Sequence, residues 1–305
     1  MQQALLLKQF DRHLSLEKGL SPNSVDAYLS DVRQLFRFLN NVGVQSLRSL
    51  NHVQLEQFRS ALHELGLSAN TESRMVSSIR AFFRFLLLEK IIDEDPSSKL
   101  VHPRKQRKVP EILTTEEIER MLEASLGMTS DVVVNKRNHA MIEWLYATGT
   151  RVSELIQLQK THLHLEDQYI RVRGKGNKER LVPIHENAID ALQTYWREMW
   201  ERQPSSREKE LVFLNRRLKG ISRNMVYMML NQCAERAGVD KKTGPHIFRH
   251  SFASHLIERG ADIRVVQELL GHASILTTEI YTHFEMKALR HTLQHCHPVY
   301  ITEDF

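Results

Sequence analysis

Apolar side chains in the amino-terminal third of the chain recur every three or four positions, which is the spacing of one buried face of an α-helix. The clearest run follows Ser21 and Pro22, a capping residue and a first-turn proline, and it ends at Gly43. Its apolar positions are Val25, Leu29, Val32, Phe36 and Leu39. Two further runs of the same spacing follow. The pattern predicts a helical domain over residues 1–97.

A second domain, predicted over residues 111–305, begins with a helix marked by Thr114 and Glu117, which have the spacing of a capping box. Further runs of helical spacing are at 138–145, 188–200, 224–237, 263–270 and 284–293. The period changes to two over 169–173, where apolar residues alternate with arginines, and a GKGN turn leads into a strand that ends at Ile184. The chain is therefore predicted to be mainly α, with a small β-hairpin in its second domain.

Composition and charge narrow the choice of function classes. The chain has 305 residues and 41% hydrophobic content, which is ordinary for a soluble protein of two domains. Its net charge of +5 suits a polyanionic partner. No apolar stretch approaches the about 18 residues that a membrane span needs, and the first apolar run is too short for a signal peptide. Because Cys233 and Cys296 form no disulfide framework, we expect a cytoplasmic protein.

A basic stretch bracketed by prolines, residues 98–110, separates the two predicted domains. Its cations between the prolines are Arg104, Lys105, Arg107 and Lys108. A stretch of this kind between packed regions is expected to be extended, and its charge favours contact with DNA. The alternative is a solvated hinge that contacts nothing.

The stretch 245–281 combines a cation, imidazoles and a phenol. His246 and Arg249 stand three positions apart at the start of an apolar-periodic run, so both point to one side of a predicted helix. A predicted turn places His272 just past a helix end, and Tyr281 follows in a short amphipathic segment. A phenol has a pKa of about 10, so its use near neutrality needs nearby positive charge or a base. The set fits phosphoryl transfer with tyrosine as nucleophile, because an arginine fork matches two phosphate oxygens.

The motifs of this stretch resemble those of the tyrosine site-specific recombinases. HxxR followed by LLGHASILTTEIYTH is similar to the family's carboxy-terminal signature, and within the family to the Xer recombinases, XerD and XerC. The HPVY tail favours the XerD side. Upstream, YATGTRVSELIQL resembles the box that carries the first arginine, and VRGKGNKERLVPI resembles the hairpin that carries a lysine. Several separated motifs in the family's order are a more specific signal than any one of them.

The resemblance implies both the fold and the two proton-transfer partners of the reaction. It implies an amino-terminal SAM-like bundle that binds core DNA, and an α-rich catalytic domain with the small sheet of the tyrosine recombinases. Tyr281 would be the nucleophile and Lys175 would protonate the leaving oxygen. Lys178, in the same turn, competes for the role of Lys175.

The remaining site residues surround the phosphate in similar proteins. Arg151, Arg249 and His272 would hold the charge of the transition state. His246 would assist proton handling at the nucleophile. Glu154 stands three positions after Arg151 on the same side of a predicted helix, where it could orient the guanidinium as a buried supporting acid. Without the resemblance, an ordinary surface ion pair would be the simpler interpretation of these two residues.

The resemblance also implies partners and a biological role. Similar proteins cut and rejoin double-stranded DNA at paired core sites through a 3′-phosphotyrosyl intermediate, and they use no metal, ATP or other cofactor. They act as tetramers, built of one recombinase or of two related ones, under the control of an FtsK-like DNA translocase. The implied role is the resolution of chromosome dimers at a dif-like site during segregation and cell division.

Candidate DNA contacts fall into three groups of polar and cationic residues. The linker cations named above form the first group. The other two lie on predicted helices: Arg74, Arg80 and Arg84 in the first domain, and Arg223, Asn224, Tyr227 and Asn231 in the second. Related enzymes insert the second of these helices into the major groove. For each of these residues a solvated surface position is the alternative.

Two other ligand sites are disfavoured. A phosphate-binding loop at Lys175 would need glycine at position 169 and serine or threonine at 176, where the chain has Tyr169 and Gly176. The histidine-rich tail offers His291, His295, Cys296 and His297 as zinc ligands. These residues lack paired cysteine spacing, so no metal is expected. In similar proteins such a tail docks on a neighbouring protomer, which is the preferred use of Val299, Tyr300 and Ile301.

Three other functions remain open at this point. The nearest is a mobile-element or phage integrase of the same chemistry, although such proteins often carry a further arm-binding domain. A type IB topoisomerase would cleave and reseal DNA without exchanging partners. A DNA-binding protein whose tyrosine is merely part of the core is a third reading, and the full set of cationic partners argues against it.

Overall fold

A computed structural model of the protein describes residues 2–44, 46–64, 68–103, 111–174, 179–271 and 283–300. The chain divides into two compact units, Met1–Val109 and Pro110–Phe305. Within its described residues the first unit has four α-helices: α1 (Gln2–Arg12), α2 (Pro22–Asn41), α3 (His52–Glu64) and α4 (Ala69–Leu88). The predicted helical character of this region is confirmed, and α1 is an addition that the apolar pattern did not predict.

Side-chain caps and an aromatic core fix the helices of the first unit. The hydroxyl of Ser21 accepts a hydrogen bond from the backbone of Ser24 at the start of α2, and Ser68 caps α4 in the same way. The core is centred on Phe82, whose ring lies 5.1 Å from that of Phe10 and 5.6 Å from that of Phe36. These edge-on contacts tie α4 to α1 and α2 in one bundle.

The second unit consists of eight helices and a small sheet within the described residues. Its helices are α5 (Thr115–Ser125), α6 (Val132–Thr148), α7 (Val152–Ile156), α8 (Glu186–Arg202), α9 (Arg223–Arg236), α10 (Pro245–Glu258), α11 (Ile263–Leu270) and α12 (His283–Cys296). Its strands are β1 (Leu163–His164), β2 (Tyr169–Arg173) and β3 (Glu179–Pro183), antiparallel in that order. The predicted hairpin is confirmed as β2 and β3, and β1 was not predicted.

Helix α6 is the centre of the second unit. Nearly all of its side chains are buried, and Trp144 and Tyr146 are among the largest buried residues of the chain. The helix is longer than the predicted 138–145, because both flanking segments are buried as well. Helix α5, which starts with the predicted capping box of Thr114 and Glu117, packs against α6.

Helices α10, α11 and α12 share a smaller apolar cluster. Phe252 and Leu256 of α10 pack with Leu269 of α11 and Leu293 of α12. The predicted turn after α11 is confirmed, since Gly271 adopts a left-handed conformation with φ 64°. This cluster holds the end of α11 against α10 and α12.

The carboxy-terminal tail folds onto its own chain. The His297 side chain is fully buried, and its Nε2 donates a hydrogen bond to the carbonyl oxygen of Tyr146, 3.2 Å away. Val299 packs against the main core of the same unit. Docking of this tail on a neighbouring protomer stays a prediction. The Tyr300 side chain and Ile301 lie outside the described part of the chain. Among the described residues, no group of three or more histidine, cysteine or acidic side chains could hold a metal ion.

Within the ranges that the structure describes, no helix combines the length and apolar character that crossing a membrane would require.

Replacing Phe82 with alanine is expected to destabilise the first unit by about 3–5 kcal/mol, because it removes a fully buried ring from the centre of the bundle. The exposed Leu88 lies on the same helix with 67% of its surface accessible. Its replacement with alanine should change the free energy of unfolding by less than about 0.5 kcal/mol. Chemical denaturation followed by circular dichroism measures both values, and similar losses would contradict the assignment of the core.

Candidate active site

A turn at Gly149, at the end of α6, positions Arg151 just before α7. Gly149 has φ 56°, and an added Cβ there would lie 2.5 Å from the ring of Phe252. The buried hydroxyls of Thr148 and Thr150 lie 3.0 Å apart on either side of the glycine. These contacts hold the backbone in a left-handed turn that glycine adopts without steric cost. Arg151 follows as the residue that precedes the first turn of α7.

Glu154 binds Arg151 through both its backbone and its side chain. The Arg151 backbone N–H donates to Oε2 of Glu154 at 2.7 Å, and Nη1 of Arg151 donates to Oε1 at 2.9 Å. The Glu154 side chain is 4% exposed and that of Arg151 is 35% exposed. The carboxylate thus fixes one edge of the guanidinium, while the arginine keeps access to solvent.

Arg180, on strand β3, is a second guanidinium on the same carboxylate. Its Nη1 and Nη2 donate to the two oxygens of Glu154, each at 3.0 Å, and its Nε donates to the carbonyl oxygen of Leu269 at 2.9 Å. Arg180 is not among the site residues predicted from the sequence. The signal was available, because a period of two places Arg180 on the same strand face as the buried Val182.

Arg249 lies on α10 beside this cluster. Its Nη1 donates to the carbonyl oxygen of Gly149 at 2.7 Å, and its Nη2 donates to that of Leu270. Burial and the positive charges of Arg151 and Arg180 lower the pKa of Arg249 to about 10, so it remains charged at neutral pH. His246, one turn earlier, is exposed.

The charge of Glu154 decides the electrostatics of the site. Burial alone would raise the pKa of Glu154, but the hydrogen bonds and charge of Arg180, together with those of Arg151, lower it below its ordinary value. The carboxylate is therefore ionised. Three guanidiniums face one carboxylate, and the cluster keeps a net positive charge that suits a phosphate.

Three predicted catalytic residues, Lys175, His272 and Tyr281, lie outside the described residues, and so does Lys178, the competitor of Lys175. The described residues border three of these positions. Gly174 precedes Lys175, strand β3 begins at Glu179 directly after Lys178, and Gly271 precedes His272. Of the predicted catalytic set, the structure brings Arg151, Glu154 and Arg249 together.

Two of the three arginines predicted to contact DNA in the first unit have partners in their own chain. Arg74 forms an ion pair with the buried Asp31, and Nη2 of Arg80 donates to the carbonyl oxygen of Ser98 at 3.0 Å. Arg84 is exposed on α4. These contacts do not test binding to DNA, but they give Arg74 and Arg80 a part in the fold as well.

The solvent-exposed face of α9 carries the third predicted group. Arg223, Asn224 and Tyr227 are all exposed. Asn231 is half-buried, and its amide donates to the Tyr227 carbonyl oxygen at 2.7 Å. The linker group, Arg104, Lys105, Arg107 and Lys108, lies outside the described part of the chain. DNA contact remains a prediction for all of these residues.

Two family profiles match the chain, one for each unit. The profile described as the phage integrase N-terminal SAM-like domain matches residues 7–90. The profile of the phage integrase family matches residues 111–288, which is more than half of the chain.

Relatives with known names match nearly the full length. Tyrosine recombinase XerD of Chlorobaculum tepidum is 39% identical over 292 residues, which are 96% of this chain and 96% of that protein. Tyrosine recombinase XerC of Anoxybacillus flavithermus is 37% identical over 295 residues, which are 96% of this chain and 97% of that protein. Relatives of both names thus resemble the chain to a similar degree.

A solved structure shares the fold. The crystal structure of XerH site-specific recombinase in a post-cleavage complex with palindromic difH substrate has a TM-score of 0.70 and 26% identity to this chain. The match covers 94% of this chain and 84% of that one. With the family profiles, it confirms the predicted fold class, a helical SAM-like domain followed by an α-rich domain of the tyrosine recombinase type.

Replacing Glu154 with glutamine is expected to cost about 3–5 kcal/mol of unfolding free energy near neutral pH, because Arg180 loses its buried counter-charge. The wild-type contribution also depends on pH. Since the folded pKa of Glu154 is lowered, its stabilisation is fully present above the unfolded value of about 4.3 and is lost as the pH falls through the folded value. Chemical denaturation at several pH values measures both effects.

The matched control is Glu179→Gln on strand β3, which removes a carboxylate that also lies beside an arginine. Glu179 is 44% exposed and lies 3.9 Å from Arg171, so its loss should cost less than about 1 kcal/mol. The acid-side fall in stability should be shallower in Glu154→Gln than in the wild type. Equal costs for the two variants, or identical pH profiles, would contradict the role given to Glu154.

Proposed function

This chain belongs to the phage integrase family of tyrosine recombinases and is a DNA strand-exchange enzyme, and we propose that it resolves chromosome dimers at a dif-like site. The observation that carries the proposed chemistry is the partly buried cluster of Arg151, Glu154, Arg180 and Arg249, which offers fixed positive charge to a phosphate. The proposed biological role rests on the near full-length likeness to proteins named XerD and XerC.

The proposed reaction begins with attack by Tyr281. Its hydroxyl oxygen forms a bond to phosphorus of the DNA backbone, and its proton passes towards His246. The bond from phosphorus to the 5′ oxygen breaks, and Lys175 gives that oxygen a proton. The products are a 3′-phosphotyrosyl linkage and a free 5′ hydroxyl. Attack on the linkage by a 5′ hydroxyl of another strand reverses the step and joins new partners.

The transition state places extra negative charge on the non-bridging oxygens. In this proposal the guanidiniums of Arg151 and Arg249, with the imidazole of His272, hold that charge. Each well-placed donor of this kind is typically worth about a hundred- to a thousandfold in rate. Because Arg151 and Arg249 are already fixed by bonds within the protein, they need little reorganisation when the charge develops.

The phosphotyrosyl linkage conserves the energy of the phosphodiester that was broken. Rejoining therefore needs no ATP, and the proposed roles assign all proton transfers and charge stabilisation to side chains of this chain. We assign no metal or cofactor to the reaction.

The proposed assembly is a tetramer on two double-stranded core sites, exchanging strands through a four-way junction. It contains this recombinase alone or together with a second related one, and a DNA translocase controls it. In this proposal Arg84, the linker cations and the exposed face of α9 contact the DNA. Cationic side chains that contact the DNA phosphates would position the protein, and α9 would contact base edges.

Replacing Tyr281 with phenylalanine is expected to abolish the covalent protein–DNA adduct on a nicked suicide substrate in the presence of a metal chelator. The phenyl ring lacks the attacking oxygen, so no phosphotyrosyl bond can form. The adduct is measured by denaturing gel electrophoresis. Tyr169→Phe, in strand β2, is the control and should form adduct as the wild type does. Adduct formation by Tyr281→Phe would refute the assignment of the nucleophile.

The proposed role predicts where the enzyme acts in the cell. Covalently trapped protein should map to one short chromosomal site, and a pair of such sites should exchange strands in vitro, with the related recombinase present where one is required. Relaxation of supercoiled DNA without strand transfer would instead indicate a topoisomerase. Trapping at the ends of a mobile element would indicate an integrase. Chromosomal mapping of adducts together with the two-site assay separates these outcomes.

A further inference from the structure

Three successive carbonyl oxygens at the end of α11 are each bound by a different arginine. The oxygens belong to residues 269–271, the last turn of the helix and its terminal glycine. Arg180 donates to the first at 2.9 Å, Arg249 donates to the second, and Arg151 donates to the third at 3.5 Å. The three arginines come from β3, α10 and the start of α7, so the end of α11 joins three separate elements.

Positive charge at this position has a physical cause. The last carbonyls of a helix have no partner within the helix, and they carry the negative end of its dipole. A guanidinium group donates hydrogen bonds to these unpaired carbonyl oxygens, and its positive charge is attracted to the negative end of the dipole. Helix α11 leads through Gly271 directly to His272, and the segment that follows contains Tyr281. The arginines thus fix the backbone from which two of the proposed catalytic residues start.

Arg180 differs from the other two arginines in its burial. Its side chain is 6% exposed, whereas that of Arg151 is 35% exposed. Its Nη1, Nη2 and Nε donors are all directed to protein oxygens, two on Glu154 and one on Leu269. An added Cβ at Gly271 would lie 2.9 Å from Cδ of Arg180, so the backbone turn is packed on its stem. A group placed in this way cannot contact the DNA phosphate itself.

The arrangement instead sets the charge and position of Arg151. If Glu154 bound Arg151 alone, the pair would be neutral and the carboxylate would draw the guanidinium towards itself. Because Arg180 occupies both oxygens of the same carboxylate, Glu154 is shared between two cations, and Arg151 keeps a net positive field on its exposed side. The bidentate fork also fixes the plane of the carboxylate, and therefore the plane of the guanidinium bound to its other lone pairs.

We propose that Arg180 is a positioning residue for strand cleavage, which holds Glu154 and the end of α11 so that Arg151 meets the phosphate in fixed geometry. This inference rests on the proposed function of the same site. It adds a residue that acts through Glu154 and through the backbone rather than on the substrate.

The test compares Arg180→Met, Arg180→Lys and the hairpin control Arg171→Met. Arg171 lies on the paired strand β2 with its side chain 45% exposed, so the control removes an arginine of the same hairpin without opening the cluster. Three quantities are measured for each protein: the melting temperature, the dissociation constant for core-site DNA, and the first-order rate of adduct formation at saturating protein. Because all DNA is bound at saturating protein, the measured rate reports cleavage and not binding.

Arg180→Met is expected to lower the first-order cleavage rate by about a hundredfold, as supporting groups around an active site commonly do, with the dissociation constant within about threefold of the wild type. Arg180→Lys keeps the charge without the fork and should recover part of the rate. Arg171→Met should cleave as the wild type does. If Arg180→Met fails to fold, the rate of Arg180→Lys decides the question in the same way.

The pH dependence of the cleavage rate provides a further measurement, which a loss of stability alone would not change. The charged groups that face Glu154 are Arg151, Arg180 and Arg249, from α7, β3 and α10. Without Arg180, the acid limb of the cleavage profile should shift to higher pH. Protonation would then release the hold of Glu154 on Arg151.

A cleavage rate within about twofold of the wild type in folded Arg180→Met would overturn the inference, since about a hundredfold loss is expected from lost positioning. The inference would also be overturned if Arg180→Met lowered the cleavage rate and the affinity for DNA by the same factor and left the pH profile unshifted. That result would indicate a purely structural role. If the wild-type protein itself forms no adduct, the proposed function fails instead. The two failures are therefore distinguishable.

Discussion

The carboxylate of Glu154 is the interaction on which the site depends. It accepts hydrogen bonds from the backbone and side chain of Arg151 and from two nitrogens of Arg180, so its lone pairs are fully used. Three guanidiniums gathered in a partly buried region would repel one another strongly. One ionised acid among them makes the arrangement tolerable while leaving an excess of positive charge. The cluster therefore links several elements of the second unit and also supplies its site with net positive charge.

The positions of the arginines depend in turn on two glycine turns. Gly149 ends α6 and Gly271 ends α11, both in the left-handed conformation, and each is packed against a large side chain, Phe252 and Arg180 respectively. The carbonyl oxygens of these turns bind Arg249 and Arg151. Side chains larger than hydrogen would strain the backbone and displace the packed groups at once. The active-site geometry is thus set by backbone turns rather than by long-range packing alone.

The sequence predicts much of this fold because its signals are local. The caps at Ser21 and Thr114, the glycine after α11 and the alternation in the hairpin each depend on residues a few positions apart. The contact between Arg151 and Glu154 has the same local origin. The alternation of β3 could indicate that Arg180 is buried, but not what it binds, because its partners, Glu154 and Leu269, are distant in the sequence and meet it only in the folded chain. Likewise, no pattern along α4 indicates that Arg74 is paired with Asp31.

The burial of His297 has a further consequence for the whole second unit. Its imidazole is bonded to the backbone of Tyr146, in the helix that runs into the first active-site arginine, and burial lowers the pKa of His297 to about 3. The ring therefore stays neutral across the physiological range, and acidity does not release it. The segment around His297 is therefore hydrogen-bonded to α6, the helix that ends in the turn before Arg151. Fusions or proteolytic trimming near the carboxy terminus would therefore disturb α6 and the position of Arg151. Changes at the amino terminus would not act through the contact between His297 and Tyr146.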